Sequence, residues 1–313
     1  VRHGLGGLAA MLRPLPYFTY SVRGAVAPAA SQAHASSGAA STGEASLVLG
    51  FPALASAAVV FVGGRGRRRC RPSANRAKAT STPRAAVSGW PSEYVRGGSA
   101  PEVLQEVEWP AEWPYDGTDF GRADESDDVD FYSQPRLCTH VDDSFIEALR
   151  QYYAKVFPTY PNARILDMCS SWISHYPEQK SWSHVSITGM NQYELQNNKQ
   201  ADDYTVRNLN ITPQLPYDDN SFDIVTCTVS FDYLNKPLEV MKDVARVLKP
   251  GGMVILSTSN RCFPTKAVNI WLRTGDMEHV LIYGSYMHFT GEFEPPESVD
   301  LSSPLTRLGF ADP

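Results

Sequence analysis

The chain lacks the spacings that bring the commonest prosthetic chemistry. Its five cysteines, Cys70, Cys138, Cys169, Cys227 and Cys262, are odd in number and nowhere form CxxC. That argues against a disulfide framework or a zinc site, so no metal is expected, and it suits a reducing compartment. No GxGxxG follows any strand-like run, which excludes a nicotinamide dehydrogenase of the dinucleotide-binding kind. Acid is nearly missing from the first part: residues 1–92 hold eleven Lys or Arg against the single Glu44. Residues 93–313 reverse the balance with seventeen bases and thirty-three acids, so the net charge of −6 averages two unlike segments. The acidic part has no clustered Lys and Arg of the kind that displaces phosphate counterions, and no nucleic-acid partner is expected.

Residues 1–92 are rich in Ala, Ser, Gly, Pro and Arg and show no sustained helical or strand period, which is the composition of an organelle transit peptide. Within them, Ala45 to Gly64 is uncharged for twenty residues and is followed by RGRRRCR. Such a run is long enough to cross a bilayer. It reads either as a removable element for a plastid (chloroplast) that needs more than one import signal, or as a membrane anchor with the basic run on its cytoplasmic side. The many Ala, Gly and Ser, with Pro52, weaken insertion and favour targeting; membrane contact is expected only through 45–64. Residues 93–130 carry twelve acids and two WP pairs, at Trp109 and Trp113. They read as an acidic linker, or, given the aromatics, as a lid extension packed across the domain expected at 131–313.

Inside that domain the elements alternate. DSFIEALRQYYAKVF places Phe145, Leu149, Tyr152, Tyr153 and Val156 at helical spacing, with Asp142 or Asp143 as cap. RILDM, HVSITGM, FDIVTCTVS and MVILSTS read as strands, the third apolar enough to be buried on both faces. YELQNN and PLEVMKDVARVLKPGG read as helices, the second stopped by Lys249, Pro250, Gly251 and Gly252. Alternating strands and helices imply an α/β domain whose mostly parallel sheet is covered on both faces.

Residues 215–260, LPYDDNSFDIVTCTVSFDYLNKPLEVMKDVARVLKPGGMVILSTSN, closely resemble the second half of class I S-adenosylmethionine-dependent methyltransferases, the type 11 group. From about Trp109 onward, DESDD, FYSQPR, ILDMCSSWISHYP and SNRCFPTKAVNIW resemble a plastid-directed group of methyltransferase-like proteins of plants and algae. The resemblance implies a Rossmann-like fold and S-adenosyl-L-methionine as cofactor; it does not imply the substrate, for which a small-molecule acceptor of unknown identity is expected. It also implies a last antiparallel strand that LGFADP does not reach, so a truncated end is expected.

Carried over by position, Asp167 stands at the acid of the first motif, while Cys169, Ser171 and Ile173 stand at its glycines, with Ser170 between them. Met190 and Asn191 end the second strand, Asn191 where an acid would hold the ribose. An amide both donates and accepts, so it can serve a diol without the charge-assisted strength. Asn208, or Asn210, replaces the acid that faces the adenine amine. His140, Asp232 and Tyr286 are candidates for the acceptor side, Asp232 because ligands bind outside the carboxyl ends of strands. Two functions stay open: a small-molecule methyltransferase, or a non-catalytic binding or assembly protein in which the glycine-free turn has closed.

Overall fold

The computed structural model describes residues 59–66, 88–105 and 107–302. Contacts divide the chain into Val1–Leu49, outside the described residues, and Gly50–Pro313, to which everything below belongs. The end of the apolar run forms the first strand, β1 (Val59–Gly64). Short helices α1 (Ala100–Gln105) and α2 (Asp128–Phe131) precede α3 (Asp143–Val156). Next come β2 (Ala163–Met168), β3 (Trp182–Gly189), α4 (Gln192–Asn197), β4 (Asp203–Val206), β5 (Phe222–Thr228) and α5 (Pro237–Val247). The described chain closes with β6 (Leu248–Thr258), α6 (Asn269–Leu272), α7 (Asp276–Thr290) and β7 (Glu297–Asp300).

The seven strands form one sheet in the order β4-β3-β2-β5-β6-β1-β7. β4 through β6 run parallel, and β1 lies antiparallel between β6 and β7. This is the mostly parallel sheet expected, with one difference of origin. The last six residues of the run read as an import element or anchor lie inside the domain sheet, so the boundary expected at residue 92 does not mark where the sheet begins. The β-branched and aromatic content of VVFVGG suits a strand paired on both edges. Residues 45–58 lie outside the described residues, and no helix among the described residues is long and apolar enough to cross a membrane.

The strands sort their side chains by parity. Ile165, Ile224 and Ile255 face α3, whose Phe145, Leu149 and Tyr153 cover them. Leu166, Met168, Val225, Cys227, Val254 and Leu256 face α5 and α7. α3 begins as its sequence dictates, with the Asp142 carboxylate accepting the Phe145 N–H at 2.8 Å. The KPGG stop expected for α5 falls instead inside β6, because the register jumps from Phe222↔Leu248 to Ile224↔Met253 and the tetrapeptide bulges out. α7 is buried on nearly every side from His279 to Met287. Its outer face is covered by the residues read as linker: Trp109 stacks on His288 at 4.8 Å, and Trp113, Tyr115 and Phe120 pack on Tyr286.

The crossover from β2 to β3 departs most from the strand and helix alternation. Residues 169–181 contain no helix. Tyr176 fills the place under α3, buried against Tyr153, Phe157 and Trp182, and its hydroxyl lies 2.7 Å from Thr226 Oγ1. Side chains after α4 tie the loop down. Gln200 Oε1 accepts the N–H groups of Ser174 and Tyr176, and its Nε2 donates to the Tyr176 carbonyl. Asn198 Nδ2 donates to the Ser171 carbonyl and to Ser174 Oγ.

Candidate functional site

A cavity of about 220 Å³ opens at the carboxyl ends of β2, β3, β4 and β5. Its walls come from residues 169–173, 188–191, 207–210 and 228–230, its cover from the segment around 136–141, and its far side from residues 261–263. Backbone strain concentrates here. Five described non-glycine residues have positive φ; two are Asn162 and Asn220, which tolerate it, and the other three are Cys169 (+53°), His175 (+57°) and Val229 (+43°). All three line the cavity. Such conformations cost roughly 1–3 kcal/mol each and collect at functional sites. Unmet polarity is found there as well: Arg122 Nε, His175 Nδ1, Thr188 Oγ1 and Arg207 Nε, on residues that line the cavity, are buried with no hydrogen-bond partner. A polar ligand would complete them.

All seven residues read as cofactor contacts, Asp167, Cys169, Ser170, Ser171, Met190, Asn191 and Asn208, line this one cavity. Cys169 keeps the left-handed backbone that a glycine would take at its position, so the turn has its shape without its glycines. The turn leans on β3: Ser170 N–H donates to the Thr188 carbonyl at 2.8 Å. A Cβ on Gly189 would stand 2.2 Å from the Ser170 carbonyl oxygen, so only glycine fits there. The glycine at the end of β3 is what permits the close approach of the turn that follows β2.

Several side chains are committed inside the protein. Asp167 is buried; it accepts Ser170 Oγ at 2.6 Å and Thr226 Oγ1 at 2.9 Å, and burial raises its pKa from 3.8 to about 6. Asn191 caps α4 through the Glu194 N–H at 3.1 Å, and its amide donates to the carbonyls of Tyr132 (2.8 Å) and Ser133 (3.2 Å). The ribose role expected of Asn191 is therefore opposed by geometry, because both of its donors hold the cover. Ser171 Oγ donates to Glu194 Oε2 at 2.6 Å, and Arg136 N–H to Glu194 Oε1 at 2.7 Å. Asn210 is equally engaged, with Asp128, Tyr233 and Asn235. Asn208 accepts the Asn210 N–H at 3.0 Å, and its Nδ2 makes no bond to the described residues.

The acceptor candidates separate. His140 lines the cavity, its ring 5.4 Å from that of Phe263. Asp232 and Tyr286 do not line it. Asp232 lies behind the wall, buried, with its pKa raised from 3.8 to about 7 by burial. Tyr286 belongs to the aromatic layer under α7, because that helix is apolar on both of its packed faces. Sequence reasoning missed Arg136, Thr188, Glu194 and Phe263 on the cavity. Only Glu194 carried a signal, the Asn-x-x-Glu spacing from Asn191 that marks a helix start. Among the described residues no three His, Cys, Asp or Glu side chains converge as metal ligands would.

The strand order and the crevice at the carboxyl ends define the Rossmann-like class I methyltransferase fold. Residues 169–256 match the family described as a methyltransferase domain. A malonyl-[acyl-carrier protein] O-methyltransferase of a Marinomonas species is 30% identical over 97 residues, covering 31% of this chain and 36% of that protein. A demethylmenaquinone methyltransferase of Staphylococcus epidermidis is 53% identical over 53 residues, 16% of this chain and 21% of that protein. The chain thus spans about a third and about a fifth of the length of these curated relatives. Among solved structures, a S-adenosylmethionine dependent methyltransferase from Mesorhizobium loti is 20% identical with a TM-score of 0.29, over 36% of this chain and 52% of that one.

Proposed function

We propose that this protein is an S-adenosylmethionine-dependent methyltransferase acting on a small molecule. The observation that carries the reading is the coincidence of the methyltransferase-domain match, which begins at Cys169, with a cavity where the strained backbone and unmet polar atoms collect. When bound, S-adenosylmethionine supplies a methyl group on a sulfonium, open to direct displacement. The protein's own task is to hold donor and nucleophile in line and to exclude water. The left-handed turn at Cys169 brings backbone close to the ligand, the bare Gly189 lets that turn pack on β3, and Asn208 Nδ2, Thr188 Oγ1 and His175 Nδ1 offer the ligand polar contacts. Burial depresses the His175 pKa to about 4, so its imidazole is neutral at pH 7 and serves as a hydrogen-bonding group rather than a cation.

The acceptor is taken to be a small molecule because the acidic domain lacks a basic face for nucleic acid. Plastid import is supported by the basic, acid-poor arm. The internal engagement of Asp167 and Asn191 favours a second reading, a binding protein without transfer. Calorimetry of the full chain with S-adenosylmethionine, followed by a methyl-transfer assay, separates them. Binding near a hundredfold excess over Kd should stabilise the fold by about 2.7 kcal/mol. The absence of both heat and thermal stabilisation at millimolar cofactor refutes the enzyme.

A further inference from the structure

Two arginines on the cavity have no carboxylate partner among the described residues. Arg122 pairs with Asp128 at 2.7 Å and Arg261 with Asp142 at 3.6 Å. Arg207 donates its backbone N–H to the Gly189 carbonyl, while its buried Nε meets nothing. Arg136 is better placed. Its backbone is fixed by Glu194, and its guanidinium lies 4.7 Å over the ring of Phe131 and 5.6 Å from that of Phe263. One nitrogen donates to the Phe131 carbonyl at 3.1 Å. The other nitrogens of the fork make no bond to the described residues.

A guanidinium stacked on aromatic faces is oriented and partly desolvated, which favours a planar, bidentate anion over water. The acids of the cavity do not compete for it. Asp128 is held by Arg122 and Lys266, Asp167 by Ser170 and Thr226, and Glu194 by Ser171 and the Arg136 backbone. The Arg136 backbone is held at the end of β3, by Glu194 of α4, while its guanidinium faces Phe263, which follows β6, so the fork lies between the two sides of the cavity.

We propose that Arg136 anchors a carboxylate in this cavity, and that the methyl acceptor carries it; the second half rests on the methyltransferase reading. The amino-acid end of the donor has the same chemistry, and matched probes distinguish the two. Full-length wild type, Arg136→Gln and Arg136→Lys are titrated with benzoate and its neutral counterpart benzamide. They are also titrated with S-adenosylhomocysteine and with methylthioadenosine, which has no carboxylate. Wild type should prefer benzoate to benzamide. Arg136→Gln should weaken benzoate about tenfold or more while leaving benzamide and both nucleosides within about twofold. Arg136→Lys, which keeps the charge without the fork, should recover part of the loss. A loss confined to S-adenosylhomocysteine overturns the assignment to the acceptor. Equal loss on the neutral probes, no loss at all, or a wild type that prefers neither acid overturns the anchor. Failure of wild type to bind either nucleoside counts against the methyltransferase reading alone, since the benzoate comparison does not depend on it.

Discussion

Replacing Asp167 by asparagine should stabilise this protein, although Asp167 lines its cavity and accepts two hydrogen bonds. Burial holds the carboxyl protonated up to about pH 6, whereas the unfolded chain releases that proton near 3.8. Between those values the folded state binds more protons than the unfolded state, so the contribution of Asp167 to stability falls as pH rises through the window and is flat above it. About two pKa units correspond to about 3 kcal/mol of unfavourable charge burial at neutral pH. Asparagine removes the charge. The hydroxyls of Ser170 and Thr226 can rotate to meet an amide, and Tyr176 lies beside Thr226 to complete the chain. Urea denaturation from pH 4 to 8 should show Asp167→Asn more stable by about 1–3 kcal/mol at pH 7.5, with the gain shrinking toward pH 4. Asp232 titrates in the same direction up to about pH 7, and His175, lowered to about 4, in the opposite direction. Both are present in wild type and variant, so the difference isolates Asp167. A variant that loses stability at pH 7.5, or a difference constant across the range, would refute the reasoning.

Gly189→Ala should push the Ser170 carbonyl away and weaken S-adenosylhomocysteine binding about tenfold or more, measured by calorimetry, because the added Cβ meets backbone rather than a movable side chain. Asn191→Asp keeps the cap on α4 but turns a carboxylate toward the Tyr132 and Ser133 carbonyls. It should cost about 1–3 kcal/mol in urea and should not tighten nucleoside binding, as it would if the position served a ribose. Gln200→Ala removes three bonds from the loop at 174–176, and hydrogen exchange of Ser174 and Tyr176 should accelerate before that of β2. Deleting residues 59–64 should lower the thermal midpoint and raise aggregation, since it uncovers the facing edges of β6 and β7.

Much of the fold was legible because it is written in periods and stops. Phe145, Leu149 and Tyr153 recur as a helix must, and Asp142 caps it. FDIVTCT is mostly apolar because the middle of β5 is buried on both faces. The crevice followed from strand order, which is why the seven cofactor candidates meet at one cavity. What could not be read was three-dimensional partnership. The amide of Asn191 looks the same in sequence whether it faces a ribose or the Tyr132 carbonyl. Tyr176 gives no local sign that a single ring will stand where a helix usually packs. Asp232 reads as a ligand residue from its place at a strand end and Tyr286 from the aromatics of GSYMHF, but the short turn at Phe231–Tyr233 buries the first and α7 packs the second into the core. VVFVGG, an apolar run beside a basic one, reads as a signal until β6 and β7 are seen on either side of it.

The origin of β1 also sets an order of events for the nascent chain. Val59 leaves the ribosome well before its partners Thr258 and Asp300, which come roughly two hundred residues later. Until then an apolar strand has no edge to join, and loop closure over that distance must be met before pairing returns anything. β1 thus joins the sheet only after β6 and β7 have been made, so whatever holds the nascent chain must shield this earlier strand until then.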